Sequence, residues 1–69
     1  MPYVNIKVTR EGVTAAQKRE IIQKVTQVLY EVLNKDPQLT HIVIDEVELD
    51  NWGFGAEQVS ELRKQNPTE

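Results

Sequence analysis

Polar and apolar positions alternate strictly over Tyr3-Val4-Asn5-Ile6-Lys7-Val8, with Val4, Ile6 and Val8 on one side and Tyr3, Asn5 and Lys7 on the other. A period of two with β-branched residues on one side predicts a half-buried strand. The pattern breaks over Thr9-Arg10-Glu11-Gly12-Val13, where Gly12 supplies a turn. Thr14 then reads as a helix N-cap, and Gln17 three residues on completes a capping box. From Ala15 to Leu33 the period lengthens, and Ile21, Val25, Val28 and Val32 recur at helical spacing. Ile22, Leu29 and Leu33 widen the stripe, which predicts a helix facing a sheet. Lys18, Arg19, Lys24 and Tyr30 fall off its centre and are expected on a solvated or subunit-facing surface.

Asn34-Lys35-Asp36-Pro37 ends the helix, because a residue before proline is pushed out of the α region. A second strand is predicted from about Thr40 to Val47, with the β-branched run Ile42-Val43-Ile44 suggesting cover on both faces, as in a parallel sheet. Strand, helix and strand at this spacing make a β-α-β unit with a right-handed crossover. Glu48 to Asn51 is turn-like, and Trp52-Gly53-Phe54-Gly55 interleaves aromatics with glycines that permit a tight hairpin. Ala56 to Lys64 has the makings of a short helical turn, and Gln65 to Glu69 reads as a frayed tail. The expected class is α+β, one domain over residues 1–69. A single helix covers one face of a two-stranded sheet. Nothing else in the chain reaches the other face or extends the edges, so an oligomer is expected.

Composition sharpens that expectation. A chain of 69 residues buries only about 60% of its unfolded surface, so its own core is marginal. Disulfides, metals and oligomerisation are the usual remedies. With no cysteine and one histidine, the first and a Cys/His metal site drop out, leaving assembly. Eight Lys and Arg against eleven Asp and Glu give a net charge of −3 without a basic patch for nucleic acid. No run is long and apolar enough for a membrane span or signal peptide, so a cytoplasmic protein is expected.

The candidate chemistry starts at Met1-Pro2. Methionine aminopeptidase removes an initiator Met before a small residue, which would leave Pro2 with a free secondary amine. An α-amino group titrates near ~7.7–8.0, and an apolar site or a nearby cation lowers that value, leaving a neutral base at physiological pH. The plainer reading is that Pro2 starts a strand, a position proline tolerates. Trp52 and Phe54 are either oligomer anchors or pocket walls, and both roles hold for a pocket at a subunit interface. The Gly53-Phe54-Gly55 run is too short for a phosphate loop. His41, opposed in parity to Ile42 and Ile44, reads as an ordinary strand residue. Glu46 and Glu48 read as a solvated edge pair, and Arg10, Arg19 and Arg63 as surface residues able to bind a carboxylate bidentately.

Met1-Pro2-Tyr3-Val4-Asn5-Ile6, Gln17-Lys18, Asp45-Glu46-Val47 and Trp52-Gly53-Phe54-Gly55-Ala56-Glu57 together resemble the 4-oxalocrotonate tautomerase family, from Pro2 to about Arg63. The resemblance implies a β-α-β subunit that pairs into a four-stranded sheet in a dimer, commonly three dimers to a homohexamer. It implies a cofactor-free isomerase without metal, acting on a small-molecule enol or 2-oxo acid such as a 2-hydroxydienoate. Pro2 carries over as the general base. Trp52 stands where the family has an aromatic lining the pocket. Two family arginines that bind substrate carboxylates are replaced, one by Val13 and one by His41. Arg10, in a turn one residue longer than usual, is the stand-in the resemblance offers for the first, and His41 for the second with a smaller, pH-dependent charge. A dicarboxylate substrate is thereby put in question. The other reading is a structural or interaction protein that keeps the assembly without turnover.

Overall fold

The computed structural model describes residues 1–65; of the expected tail, Gln65 closes the last helix and residues 66–69 lie outside the described residues. Strand β1 (Tyr3–Thr9), helix α1 (Ala15–Leu33) and strand β2 (His41–Val47) form the β-α-β unit. A hairpin, β3 (Gly53–Phe54) with β4 (Glu57–Gln58), and helix α2 (Val59–Gln65) complete the chain. One-turn 3-10 helices, Pro37–Leu39 and Leu49–Asn51, stand on either side of β2.

Local chemistry accounts for the limits of α1. The Thr14 hydroxyl accepts from the Gln17 N–H at 3.1 Å, and the Gln17 side chain accepts from the Thr14 N–H at 2.9 Å, so the expected capping box is formed. At the other end Asn34 takes the left-handed conformation (φ 54°), one of the few residues besides glycine that does so readily, and its N–H bonds the Tyr30 carbonyl at 2.9 Å. The chain then turns at Pro37, with the Asp36 side chain capping the 3-10 turn through the Gln38 N–H at 2.9 Å.

Strands β1 and β2 are parallel, in a register that pairs Tyr3 with His41 and Thr9 with Val47. Partners in such a ladder project to the same side, and successive residues alternate. Val4, Ile6 and Val8 therefore share a face with Ile42, Ile44 and Glu46. That face lies under α1, since the Lys18 ammonium reaches the Glu46 carboxylate at 3.2 Å. The opposite face carries Tyr3, Asn5, Lys7 and Thr9 beside His41, Val43, Asp45 and Val47, and Tyr3, Lys7, His41 and Val43 on it are exposed.

Two readings of the sequence change here. Lys18, expected on a solvated or subunit-facing surface, and Glu46, expected on a solvated edge, are a half-buried pair with side chains 34% and 19% exposed. The parity of β2 turns Glu46 toward the helix, and the Lys18 stem lies over the sheet while its charge meets the carboxylate. The apolar stripe of α1 is also only partly used. Ile21, Val25 and Leu29 are half-buried, whereas Ile22, Val28, Val32 and Leu33 are exposed. Two strands about 4.8 Å apart are too narrow to cover a stripe widened by so many residues.

Among the described residues Val59 alone falls in the buried class, at 8% exposure. It opens α2, and its N–H bonds the Trp52 carbonyl at 2.8 Å, closing the hairpin against the 3-10 turn. In that hairpin Gly55 and Ala56 both have positive φ, 61° and 71°. A two-residue loop of that kind is a type I′ turn, whose twist suits paired strands and which disfavours alanine.

Candidate active site

The candidate residues separate into two groups at opposite ends of the sheet. At the amino end, Pro2 precedes β1, and its carbonyl accepts the His41 N–H at 2.9 Å. That bond extends the ladder by one rung and fixes Pro2 beside the start of β2. Pro2 is half-buried, while the Met1 in front of it is 82% exposed. With Met1 attached, the proline nitrogen is an amide without a proton or a free lone pair. The His41 side chain belongs to the face that α1 leaves open, beside that of Tyr3.

Arg10 and Trp52 follow the carboxyl ends of the strands. Arg10 continues the β1 ladder, its N–H bonding the Val47 carbonyl at 2.8 Å. Its guanidinium meets Glu48 at 3.2 Å. Trp52 ends the 3-10 turn that follows β2, with its N–H 3.4 Å from the Leu49 carbonyl, and is half-buried. Phe54 projects from the hairpin at 73% exposure. Eight residues of extended chain separate Pro2 from Arg10, or about 26 Å at ~3.3 Å each. Within one chain the structure thus brings Pro2 to His41 and Arg10 to Glu48, but not Pro2 to Arg10.

Charges at the carboxyl end are closely paired. Besides Lys18–Glu46 and Arg10–Glu48, Arg63 of α2 grips Glu11 through both guanidinium nitrogens, at 2.8 and 3.1 Å. Glu11 also accepts from the Thr9 hydroxyl. On the open face, the Asn5 amide (2.8 Å) and the Lys7 ammonium (2.9 Å) donate to Asp45. The Asn5 hydrogen bond, followed by the bond and charge of Lys7, holds the Asp45 carboxyl below its usual value. Sequence reasoning treated Glu48 as a solvated edge residue and missed its link to Arg10. The parallel register was the signal that carries it, because the offset that pairs Tyr3 with His41 also sets Arg10 against Glu48.

A groove of about 570 Å³ runs along α1 between Val13, Gln17, Glu20, Ile21, Lys24 and Val25. It flanks the first half of the helix, which starts from the carboxyl end of β1, and so lies away from Pro2. Among the described residues no group of three or more His, Asp and Glu side chains is set to hold a metal ion. No helix there is long and apolar enough to cross a membrane.

Residues 2–62, from Pro2 to Leu62, match the family model described as "Tautomerase enzyme". The chain belongs to the tautomerase family. A tautomerase is an isomerase, and the chain's relatives carry that name. It is 55% identical to "Probable tautomerase K2" of Dickeya dadantii (strain 3937) over 65 residues, covering 94% of this chain and 97% of the relative. With the 2-hydroxymuconate tautomerase of Pseudomonas putida it shares 37% identity over 62 residues, 90% of this chain and 97% of that one. Among solved structures, DmpI from Helicobacter pylori superposes with a TM-score of 0.88 at 40% identity, covering 94% of this tautomerase and all of that chain (100%). The expected β-α-β fold and enzyme class are those of the family.

Proposed function

We propose that this tautomerase interconverts keto and enol forms of a 2-hydroxydienoate or related 2-oxo acid without a cofactor, using the amine of Pro2 as general base once Met1 is removed. The observation that carries the reading is Pro2 itself. It is held at the sheet end by the His41 hydrogen bond, behind an exposed Met1, and the family match begins at this residue. The ring holds the amine rigidly, which lessens the reorganisation needed to reach a substrate atom. The amine takes the proton of the 2-hydroxyl group and returns it to the far carbon of the diene. The product is the conjugated 2-oxo acid, with no atom gained or lost.

Trp52 walls the site and favours the uncharged amine, Arg10 binds a substrate carboxylate, and His41 contributes a weaker charge. Because Arg10 lies about 26 Å of strand away from Pro2, and Trp52 follows the carboxyl end of β2, a site containing all of them takes its base from one chain and its carboxylate-binding group from another. The protein is then a homo-oligomer, a dimer or a hexamer. The exposed Val28, Val32, Leu33 and Phe54 of the single chain support that assembly. Exposed apolar surface on this scale in so small a chain is more than a stable monomer carries.

Intact mass spectrometry of the cell-made protein, paired with turnover of 2-hydroxymuconate, tests the base. Protein lacking Met1 is expected to be active, and protein that retains Met1 or is acylated at Pro2 inactive. Full activity in a preparation that keeps Met1 sinks the assignment. Sedimentation at micromolar concentration tests the assembly, and a folded monomer of 8.0 kDa contradicts it.

A further inference from the structure

Three cations at the carboxyl end of the sheet, Lys18, Arg63 and Arg10, are met by glutamates, but not equally. Lys18–Glu46 is half-buried, and Arg63 holds Glu11 through two nitrogens. Arg10–Glu48 is a single contact of 3.2 Å between side chains that are both 61% exposed, the pair of the three that a competing anion displaces most easily. Nor is it a chance encounter of two long side chains. The Arg10 N–H to Val47 carbonyl bond (2.8 Å) continues the ladder to the rung where residues 10 and 48 stand side by side. Glu48 also begins the 3-10 turn Leu49–Asn51, and its carbonyl accepts the Asn51 N–H at 2.9 Å. Its backbone is therefore held, while its side chain makes no capping bond that would draw it from Arg10.

We infer that Glu48 sets the substrate preference of this tautomerase by occupying Arg10, weakening acidic substrates relative to uncharged enols. The inference rests on the reading of Arg10 as the carboxylate-binding group. A substrate carboxylate either displaces Glu48 from the guanidinium or shares the fork with it, and sharing sets two like charges side by side. An uncharged enol makes no demand on Arg10 and meets neither obstacle. Glu48 thus acts through Arg10, as a residue that tunes specificity.

The experiment is a double-mutant cycle read as a ratio, kcat/KM for 2-hydroxymuconate divided by kcat/KM for an uncharged aryl enol. Glu48→Gln keeps the side-chain shape and removes the charge, and its loss is expected to raise the ratio roughly two- to fivefold, the range of an exposed ion pair. Arg10→Ala is expected to lower the ratio, and in that background Glu48→Gln is expected to change nothing further. Glu20→Gln, on α1 and paired with Lys24 at 2.6 Å instead of with Arg10, removes the same net charge and should leave the ratio unchanged. An unchanged ratio in Glu48→Gln, with a lowered one in Arg10→Ala, overturns the role of Glu48 and leaves Arg10 standing. If Arg10→Ala itself has no effect, the reading of Arg10 fails and the inference with it. A Glu48→Gln effect that persists without Arg10, or is matched by Glu20→Gln, points to general charge and also overturns it.

Discussion

Mixing two defective chains tests the geometry most directly. One carries an acylated Pro2 amine, and the other carries Arg10→Ala. The blocked chain lacks the base and is expected to be inactive. The Arg10→Ala chain loses a charge-assisted hydrogen bond to the substrate carboxylate, about 1.5–3 kcal/mol, or roughly ten- to hundredfold in kcat/KM for 2-hydroxymuconate. Neither change should unfold the subunit. Pro2 contributes its carbonyl to the ladder, not its nitrogen, and the Arg10–Glu48 pair is exposed and contributes at most about 1 kcal/mol to stability. The two chains are unfolded together in equal amounts and refolded. Because Pro2 and Arg10 lie at opposite ends of β1, each site, on the function proposed above, draws its base and its guanidinium from different chains. Half the bases and, independently, half the guanidinium groups are intact, so random assembly restores both to about a quarter of the sites. Turnover of 2-hydroxymuconate should therefore reach about a quarter of the wild-type rate, well above either parent. If both groups came from one chain, no mixed site would hold the pair, and the rate would be the average of the two parents. That average, with co-assembly verified by native mass spectrometry, refutes the reasoning.

Trp52→Ala should raise the pKa of the Pro2 amine, shifting the acid limb of the kcat/KM profile to higher pH and lowering turnover at neutral pH, while sedimentation shows the oligomer intact; dissociation into unfolded subunits instead marks Trp52 as an anchor. Ala56→Gly should raise stability by about 0.5–1 kcal/mol in chemical denaturation, because it removes alanine from a left-handed turn position. Thr14→Ala removes the cap of α1 and should cost about 1 kcal/mol in the same assay. For Asp45, the folded pKa lies below the ordinary aspartate value, so its contribution is present above that ordinary value and is lost as pH falls through the folded pKa. Asp45→Asn should flatten the fall in stability on that acid limb, and an unchanged slope contradicts the role of Asn5 and Lys7.

The elements themselves were legible in the residue order. Alternation over Tyr3–Val8, the helical stripe from Ile21 to Leu33 and the Thr14–Gln17 cap are all local. A strand or a capped helix advertises itself through neighbours two to four residues apart. Pro2 and Trp52 also stood out as residue types whose chemistry has few bland uses together. The expectation of a partner rested on arithmetic, one helix against two faces of a small sheet. What the order of residues left open was how segments some forty positions apart meet. The parallel register turned Glu46 under the helix to Lys18, set Asp45 beside Lys7 and Asn5, and delivered Glu48 to Arg10. It also separated Pro2 from Arg10 by the length of a strand, which no spacing in the sequence announces. Register depends on the ladder of backbone hydrogen bonds and on which side chains share a face, and sliding one strand by a single residue would exchange the faces. That choice is made between segments rather than within them, so only the tertiary structure decided it.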